Sequence, residues 1–568
     1  MRKEFLFMAL AAVVLVGCKN EPEPEQQTEL PDWYYTGGKQ GTTTNTSSMA
    51  FRQPTPATEN VGSGTAFAQG DNIAEKDFVT NTTGRQHGLG PVYVRASCQH
   101  CHPNYSHGTS VPEGTYDAAH QGNGTLLVLY DPNQPSEPYV SWVAGMPQLF
   151  GVAPFKAPID PEQIKVEWKT VQDAHGNKFA DGETYELRYP EVTIPVEAIY
   201  SAKTQFRDAL ALLPKKESRS DINNDINLLD GGYAVRLENT IGVYGTGLLD
   251  AIPDADILAQ YEKEANDKTS NGQPILKNGL NPAFWDGAFK TTGYYKNDPK
   301  WGPKRFTYAL TRGPIMDAAG ANAIWNITNV TRSDRQYHYL DLDGRVYATC
   351  ASIDPEVQEA FPAFIASIDP NGEHPEWNTG DVKTDIYTYL TSKTLPSEMS
   401  DDEFTQVMVW HRGLAVPAAR DVNDEKVLRG KELFSKIGCD YCHRPSWKTG
   451  QDEIRDPNEF KGFTAQMPRY QNQTIWPYTD MVQHKLCMVN DIRTGWCRTT
   501  PLWGRGLHRK ATDDAYDARL HDTRARNVIE AIMWHGYSEN SDAYYTTQQF
   551  YNLPKEDRDA IVAFLNAI

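Results

Sequence analysis

Apolar residues follow three different patterns along this chain. At the start, Phe5 to Val16 form one unbroken run, behind Arg2 and Lys3 and ahead of Gly17 and Cys18. A run this short cannot span about 30 Å of hydrocarbon as a finished helix, so residues 1–17 read as a signal peptide. Near the other end a helical period appears twice. Asp424 can cap a helix in which Val427, Leu428, Leu433, Phe434 and Ile437 recur at helical spacing, with Gly430 thinning one face. Pro554 suits the first turn of a second helix, whose stripe is Ala560, Ile561, Phe564, Leu565 and Ile568. Between these ends the pattern is irregular. Residues 124–200 alternate short apolar runs with turn signals and predict β-hairpins. Residues 262–335, rich in Asn, Gly, Lys and Trp, predict long ordered loops. Residues 18–60 are poor in apolar runs and rich in Glu, Gln, Pro, Thr, Ser and Asn, as flexible tethers are.

Composition narrows the function classes. The chain has 568 residues, a formal net charge of −19, 39% hydrophobic and 11% aromatic residues, and eight cysteines. Apolar content is ample for a large core, and the cysteines are too sparse for a disulfide scaffold. Neutralising phosphates needs clustered Lys and Arg, so the acidic balance argues against nucleic acid as a partner.

Cysteine spacing carries the chemistry. Cys98, Cys101 and His102 stand in CQHCH, and Cys439, Cys442 and His443 in CDYCH. Both are C-x-x-C-H, the c-type haem attachment pattern, in which two thiols hold the porphyrin and the next histidine reaches the iron. A zinc site or a thioredoxin-like pair would have to explain a histidine directly after both cysteine pairs. Two covalently bound haem c groups are therefore expected. The leader ending LVGC resembles a bacterial lipobox, which makes Cys18 the lipidation site and the anchored N-terminus. The following KNEPEPE is similar to surface-export signals of Bacteroidota lipoproteins. The expected location is the cell envelope of a Gram-negative bacterium, facing the periplasm or on the outer membrane surface, with the membrane reached only through the lipid anchor.

Longer strings extend the motifs: GLGPVYVRASCQHCH, GTGLLDAIP at 245–253, GLAVPAARDVNDEKVLRGKELFSKIGCDYCHRPSWKTG at 413–450, PYTDMVQH, RTTPLWGRGL and LHDTRARNVIEAIMWHG. Over roughly residues 85–568 the chain resembles the di-haem oxidoreductase family, distant relatives of di-haem cytochrome c peroxidases and of the methylamine-utilisation di-haem enzyme. It departs from the family pattern at KLCMVNDIRTGWC after His484 and over 262–350. The resemblance implies one six-coordinate haem that passes electrons and one with an open site for peroxide. His443 is then the proximal ligand of the C-terminal haem, and His535 aligns where the relatives place a distal Met or Tyr. Met481, Met488 and Met533 are rival ligands, and His535 as a mere helix-end histidine is the competing reading. His484 is expected to be structural rather than a ligand. His102 is proximal at the N-terminal haem, for which no distal ligand is evident. Proton delivery there falls to a carboxylate, Asp250 first and then Asp254, Asp256 or Glu262. His87, His100, His107 and His120 are expected to be solvent or packing residues.

Arg498 and Arg505 suit haem propionates, because guanidinium pairs carboxylate bidentately. Arg524 and Arg526 are secondary candidates, with ordinary ion pairing as the alternative for all four. Trp496 and Trp503 are candidate electron relays. Cys487 and Cys497, ten apart in one irregular loop, are expected to form a disulfide, leaving Cys350 free. DLDG at 341–344 lacks the third acid and downstream Glu of a calcium loop, so a turn between strands is the simpler reading, and Ca2+ is a candidate ion only through the resemblance, since calcium between haem domains occurs in the relatives. The expected fold is mainly α, with two cytochrome c-like haem domains carrying β-hairpin and long-loop insertions. Its divisions are 1–17, a tether at 18–60, an N-terminal haem domain at 61–400 and a C-terminal one at 401–568. The expected activity is a peroxidase-like oxidoreductase, with a small redox protein or quinone-linked cytochrome as donor and peroxide or another oxidant as acceptor. A non-enzymatic electron-transfer cytochrome or a haem-based sensor is the alternative.

Overall fold

The computed structural model describes residues 30–568, apart from 82, 117–123, 135, 214–231, 342–343 and 458–462. The signal peptide and Cys18 lie outside the described residues, as do His120 and the middle of DLDG. Helices dominate, and the strands form only small sheets. In chain order the elements that position the sites are α1 (Gly64–Glu75), β1 (Thr125–Tyr130), β2 (Lys165–Val171), β3 (Leu187–Thr193), β4 (Ala234–Asn239), α2 (Asp254–Asn266), α3 (Arg345–Ile353), α4 (Pro355–Ile368), α5 (Val382–Thr391), α6 (Asp401–Arg412), α7 (Glu425–Lys436), β5 (Gln483–Lys485), β6 (Trp496–Arg498), α8 (Val528–His535) and α9 (Lys555–Ala567). Among the described residues no helix is long and apolar enough to cross a membrane.

The two helices read from periodicity form as expected. The Asp424 carboxylate accepts the N–H groups of Lys426 at 2.9 Å and Val427 at 3.1 Å, which satisfies two orphan donors at the start of α7. Val427, Gly430, Leu433 and Phe434 are buried against α9, while Leu428 points outward. The helices cross at Gly430, where a Cβ would run into the carbonyl oxygen of Ala560 and the side chain of Phe564. A second pair repeats this device. α1 crosses α6 at Gly70, where a Cβ would meet the carbonyl oxygen of Gln406 and the side chain of Trp410. A full capping box starts α6, with Ser400 and Glu403 each bonding the other's backbone. α6, at the start of the expected division 401–568, is thus the packing partner of α1.

The tether expected over 18–60 is packed structure from residue 30 onward. Trp33 meets Phe564 edge to face at 6.2 Å, Thr42 and Thr43 pair in parallel with Val416 and Pro417, and Phe51 stacks on Tyr244 at 4.1 Å. Isolated aromatics such as these carry no periodicity, so their burial is invisible in the local pattern. Within 124–200, β2 and β3 make the expected hairpin. β1 instead pairs antiparallel with β4, far along the chain, with Leu127 opposite Leu237. Residues 262–335 are loops and short turns apart from the end of α2 and the helical stretch around Ala323–Thr328. Separate cores lie around α1 and α6, around α3–α5 with β1 and β4, and around α7–α9.

Candidate functional site

α7 ends at Gly438, a left-handed residue with φ of 92°, which turns the chain into the Cys439–Tyr441 turn. His443 follows, its Nδ1 donating to the carbonyl oxygen of Tyr478 at 3.1 Å. α8 delivers His535 from the other side, its Nδ1 donating to the carbonyl oxygen of Ala531 at 2.6 Å. Both rings therefore present Nε2, and their centres stand 6.3 Å apart. Two imidazoles on opposite sides of one metal, each bonded at about 2 Å, have centres roughly 6 Å apart. Burial and then His535 push His443 down to about 3, and burial lowers His535. Both are thus neutral near pH 7, as a ligand imidazole must be. Met533 packs in the core, as does Met481, and neither replaces this pair in the geometry.

At the first motif the surroundings differ. Cys101 and His102 follow Cys98 in a tight turn in which the N–H groups of both Cys101 and His102 donate to the Cys98 carbonyl. Burial lowers His102 to about 4, and its Nδ1 is buried with no hydrogen-bond partner. The last turn of α6 brings His411, 3% exposed, into the same neighbourhood. Burial and then His102 push His411 down to about 3, and its Nε2 is also buried and unpartnered. His107 is buried near His102 and Arg505, its pKa driven well down, and it lines a small cavity with Tyr244, Trp503 and Arg498. Of the remaining histidines near the motif, His87 is bonded to the Gly84 carbonyl and His100 to Asp77. Sequence reading passed over His411, although a single histidine ending a capped apolar helix was the available signal.

Asp250 is hydrogen-bonded through both carboxyl oxygens. One oxygen accepts from Arg412 Nη1 at 2.9 Å and the other from the Ile315 N–H at 3.2 Å, and Arg412 also pairs with Asp452. One charged and one neutral donor thus fix the Asp250 side chain beside Arg412. Asp254 is likewise taken, by Arg305 and Arg455, and Asp256 and Glu262 are exposed. The carboxyl that α2 does turn inward is Glu264, on the buried face with Ile257 and Tyr261. Burial and then Asp480 push it up to about 8. Asp480 in turn accepts from His484 Nε2 at 2.7 Å, and these two close a cluster with the Cys442 sulfur. His484 is thereby a buried, paired residue, as the structural reading has it.

Four arginines separate cleanly. Arg524 is buried on Asp522 at 2.7 Å, and Arg526 pairs with Glu530 and Glu186, so ordinary ion pairing accounts for both. Arg498 donates to the Arg305 carbonyl at 2.5 Å and Arg505 to the carbonyls of Asp517 and Ala518, and neither has a described carboxylate partner. Burial pushes Arg498 down to about 10. A buried cation without an anion is costly, and a propionate would relieve it. Cys487 and Cys497 are free thiols, contrary to the expected disulfide: Cys497 faces His484 across the β5–β6 pair, and Cys487 lies beyond the end of that ladder. Cys350 is free and buried, as expected. Trp496 and Trp503 are both buried. Among the described residues of DLDG, Asp341 accepts the Tyr347 N–H. Thiol pairs, neutral facing imidazoles with free Nε2 atoms and unpaired buried guanidinium groups together form a donor set that fits haem.

Residues 382–568 match the family model described as "di-haem oxidoreductase, putative peroxidase", which bears out the resemblance over α5 to α9. That description implies a general oxidoreductase role and two haems. No curated protein matches the chain.

Proposed function

We propose that the chain is a c-type di-haem oxidoreductase of the peroxidase kind, with an open N-terminal haem supplied with electrons through a six-coordinate C-terminal one. The observation that carries this reading is the 6.3 Å separation of His443 and His535, each ring fixed at Nδ1 by a backbone carbonyl. Cys439 and Cys442 would hold the second haem, with His443 and His535 as the imidazoles available to its iron. Cys98, Cys101 and His102 hold the first. The repeated glycine crossings of α1 on α6 and of α7 on α9 support two cytochrome c-like units. When bound, the haems supply one-electron redox chemistry and, at an open coordination position, reduction of a peroxide O–O bond.

The residues around the first motif do the rest. Asp250 and Asp452 anchor Arg412, which fixes the end of α6 and so the ring of the adjacent His411. His411 Nε2, neutral and unpartnered, accepts a proton from an incoming peroxide and returns it to the leaving oxygen. Arg498 and Arg505 would pair with propionates of a bound haem. Asp250 is thus a positioning residue.

The same histidine favours a second reading. If His411 ligates iron, the first haem is closed and the protein is an electron-transfer cytochrome. EPR of the fully oxidised holoprotein separates the two: the peroxidase reading expects one high-spin and one low-spin ferric haem, and two low-spin signals overturn it. His411→Ala then distinguishes the roles of the residue. It leaves the spin states unchanged if His411 moves protons, and converts a low-spin haem to high-spin if it is a ligand.

The envelope location rests on the basic start, apolar run and Cys18. Cys18→Ser is expected to release the chain from the membrane fraction. A net charge of −19 favours a basic redox donor, a small protein or quinone-linked cytochrome, docking with strong salt dependence.

A further inference from the structure

We propose that a cavity lined by no residue of either C-x-x-C-H motif binds a small aromatic carboxylate. Its volume is about 720 Å³, within the range of small-molecule sites, and it opens to solvent between the loop after β1, the segment before α3 and the β5–β6 loop. The walls are aromatic: Trp325 meets Tyr337 and Tyr339 edge on at 5.0 and 4.8 Å, and Tyr139 faces them from the other loop. They are also fixed in place. Trp325 Nε1 donates to the Tyr337 carbonyl at 2.6 Å. The Asn329 amide accepts from the Tyr339 N–H at 2.5 Å and donates to its carbonyl at 2.8 Å. A planar ring entering such walls meets surfaces that need no reordering.

Charge decides what the ring carries. Lys393 stands 4.6 Å above Tyr337 and Arg493 4.3 Å above Tyr139, and neither is ion-paired with a described carboxylate. Among the described residues of the lining the one acid, Asp341, accepts the Tyr347 N–H at 2.8 Å. His338, also in the wall, is 7% exposed, and both of its ring nitrogens are buried without a hydrogen-bond partner. Burial and then Lys393 hold it down to about 3, so it stays neutral and keeps one N–H to donate. Arg493 spends Nη1 on the Ser136 and Glu137 carbonyls, the latter at 2.7 Å, but buried polar groups are nearly always paired in folded proteins, so an unpaired imidazole near Lys393 points to an absent acceptor. A carboxylate supplies it, and the attached ring occupies the aromatic walls.

The test is calorimetric titration of the holoprotein with 4-hydroxybenzoate, with 4-hydroxybenzyl alcohol and acetate as controls. 4-Hydroxybenzoate is expected to bind at least about tenfold more tightly than either control, and Lys393→Gln, an exposed position that leaves the core untouched, to weaken it about tenfold. Trp325→Leu is expected to weaken 4-hydroxybenzoate and leave the weak acetate binding unchanged. No binding of 4-hydroxybenzoate at millimolar concentration overturns the proposal, as does unchanged affinity in Lys393→Gln or equal affinity for the alcohol or acetate.

Discussion

The two C-x-x-C-H units share a scaffold and differ in what surrounds it. In each, one helix before the motif crosses a later helix at a glycine, Gly70 on Gln406 and Gly430 on Ala560. In the second unit the motif histidine and the one facing it are both held by backbone carbonyls, which fixes which nitrogen is free. In the first, His102 lies against the backbone of Ile241 and Ser106, His411 Nε2 is buried without a partner, and His107 with buried arginines lies nearby. A restrained pair suits a closed, electron-passing centre with little rearrangement. A buried imidazole with a spare nitrogen, as at His411, suits a centre where protons move and a ligand enters.

Replacing the crossing glycines tests the shared part and should have the largest effect. Gly70→Val and Gly430→Val each put branched carbon atoms into a backbone carbonyl that cannot withdraw, at a cost of about 3 kcal/mol or more. Chemical denaturation followed at each haem is expected to show Gly430→Val unfolding the second centre early and Gly70→Val the first. If both variants lose both centres together, the two units are one cooperative block.

The units were unequally legible in sequence for the same reason they differ. α7 and α9 carry dense apolar stripes and follow each other around one motif, so period and capping suffice to find them. α1 has Phe67, Ile73 and Ala74 buried among Gly, Gln, Asp and Asn, and its partner α6 comes more than three hundred residues later. Such pairing is a tertiary fact with no local signature. The two C-x-x-C-H motifs and His535 stand out in the sequence because spacing and family strings mark them. His411 and Glu264 do not, since each is defined by the direction it faces, and the arginine that holds Asp250 lies 162 positions away, out of reach of local reading.

Next in size is the ion pair that supports α8. The Arg524 guanidinium is satisfied by Asp522 and by the carbonyls of Val489 and Asn490, and it lies 4.6 Å from the Trp534 ring, next to His535. Arg524→Gln leaves Asp522 buried and uncompensated, a loss of about 3–5 kcal/mol. Asp250→Asn in the first unit should cost less, about 1–3 kcal/mol, because Arg412 keeps Asp452. Its functional mark is a fall in peroxide turnover with the spin states unchanged, measured by stopped-flow mixing and EPR. Wild-type turnover in Asp250→Asn would separate the Arg412 network from His411.

The smallest effect is expected at Arg498. It feels Asp480 and Tyr261 from the side of the second motif and lines the cavity that holds His107 from the first. Its buried charge has no described carboxylate partner, so the apoprotein already carries the full desolvation penalty. Removing the charge in Arg498→Gln relieves that penalty and forfeits one hydrogen bond, and the two changes nearly cancel, within about 1 kcal/mol. In the holoprotein the balance shifts, because a propionate would then lose its counter-charge. Stability measured with and without haem should therefore diverge for Arg498→Gln, whereas Arg524→Gln should cost the same in both forms. Equal costs at Arg498 in the two forms would mean that no propionate meets it, and would remove the argument that it faces a haem at all.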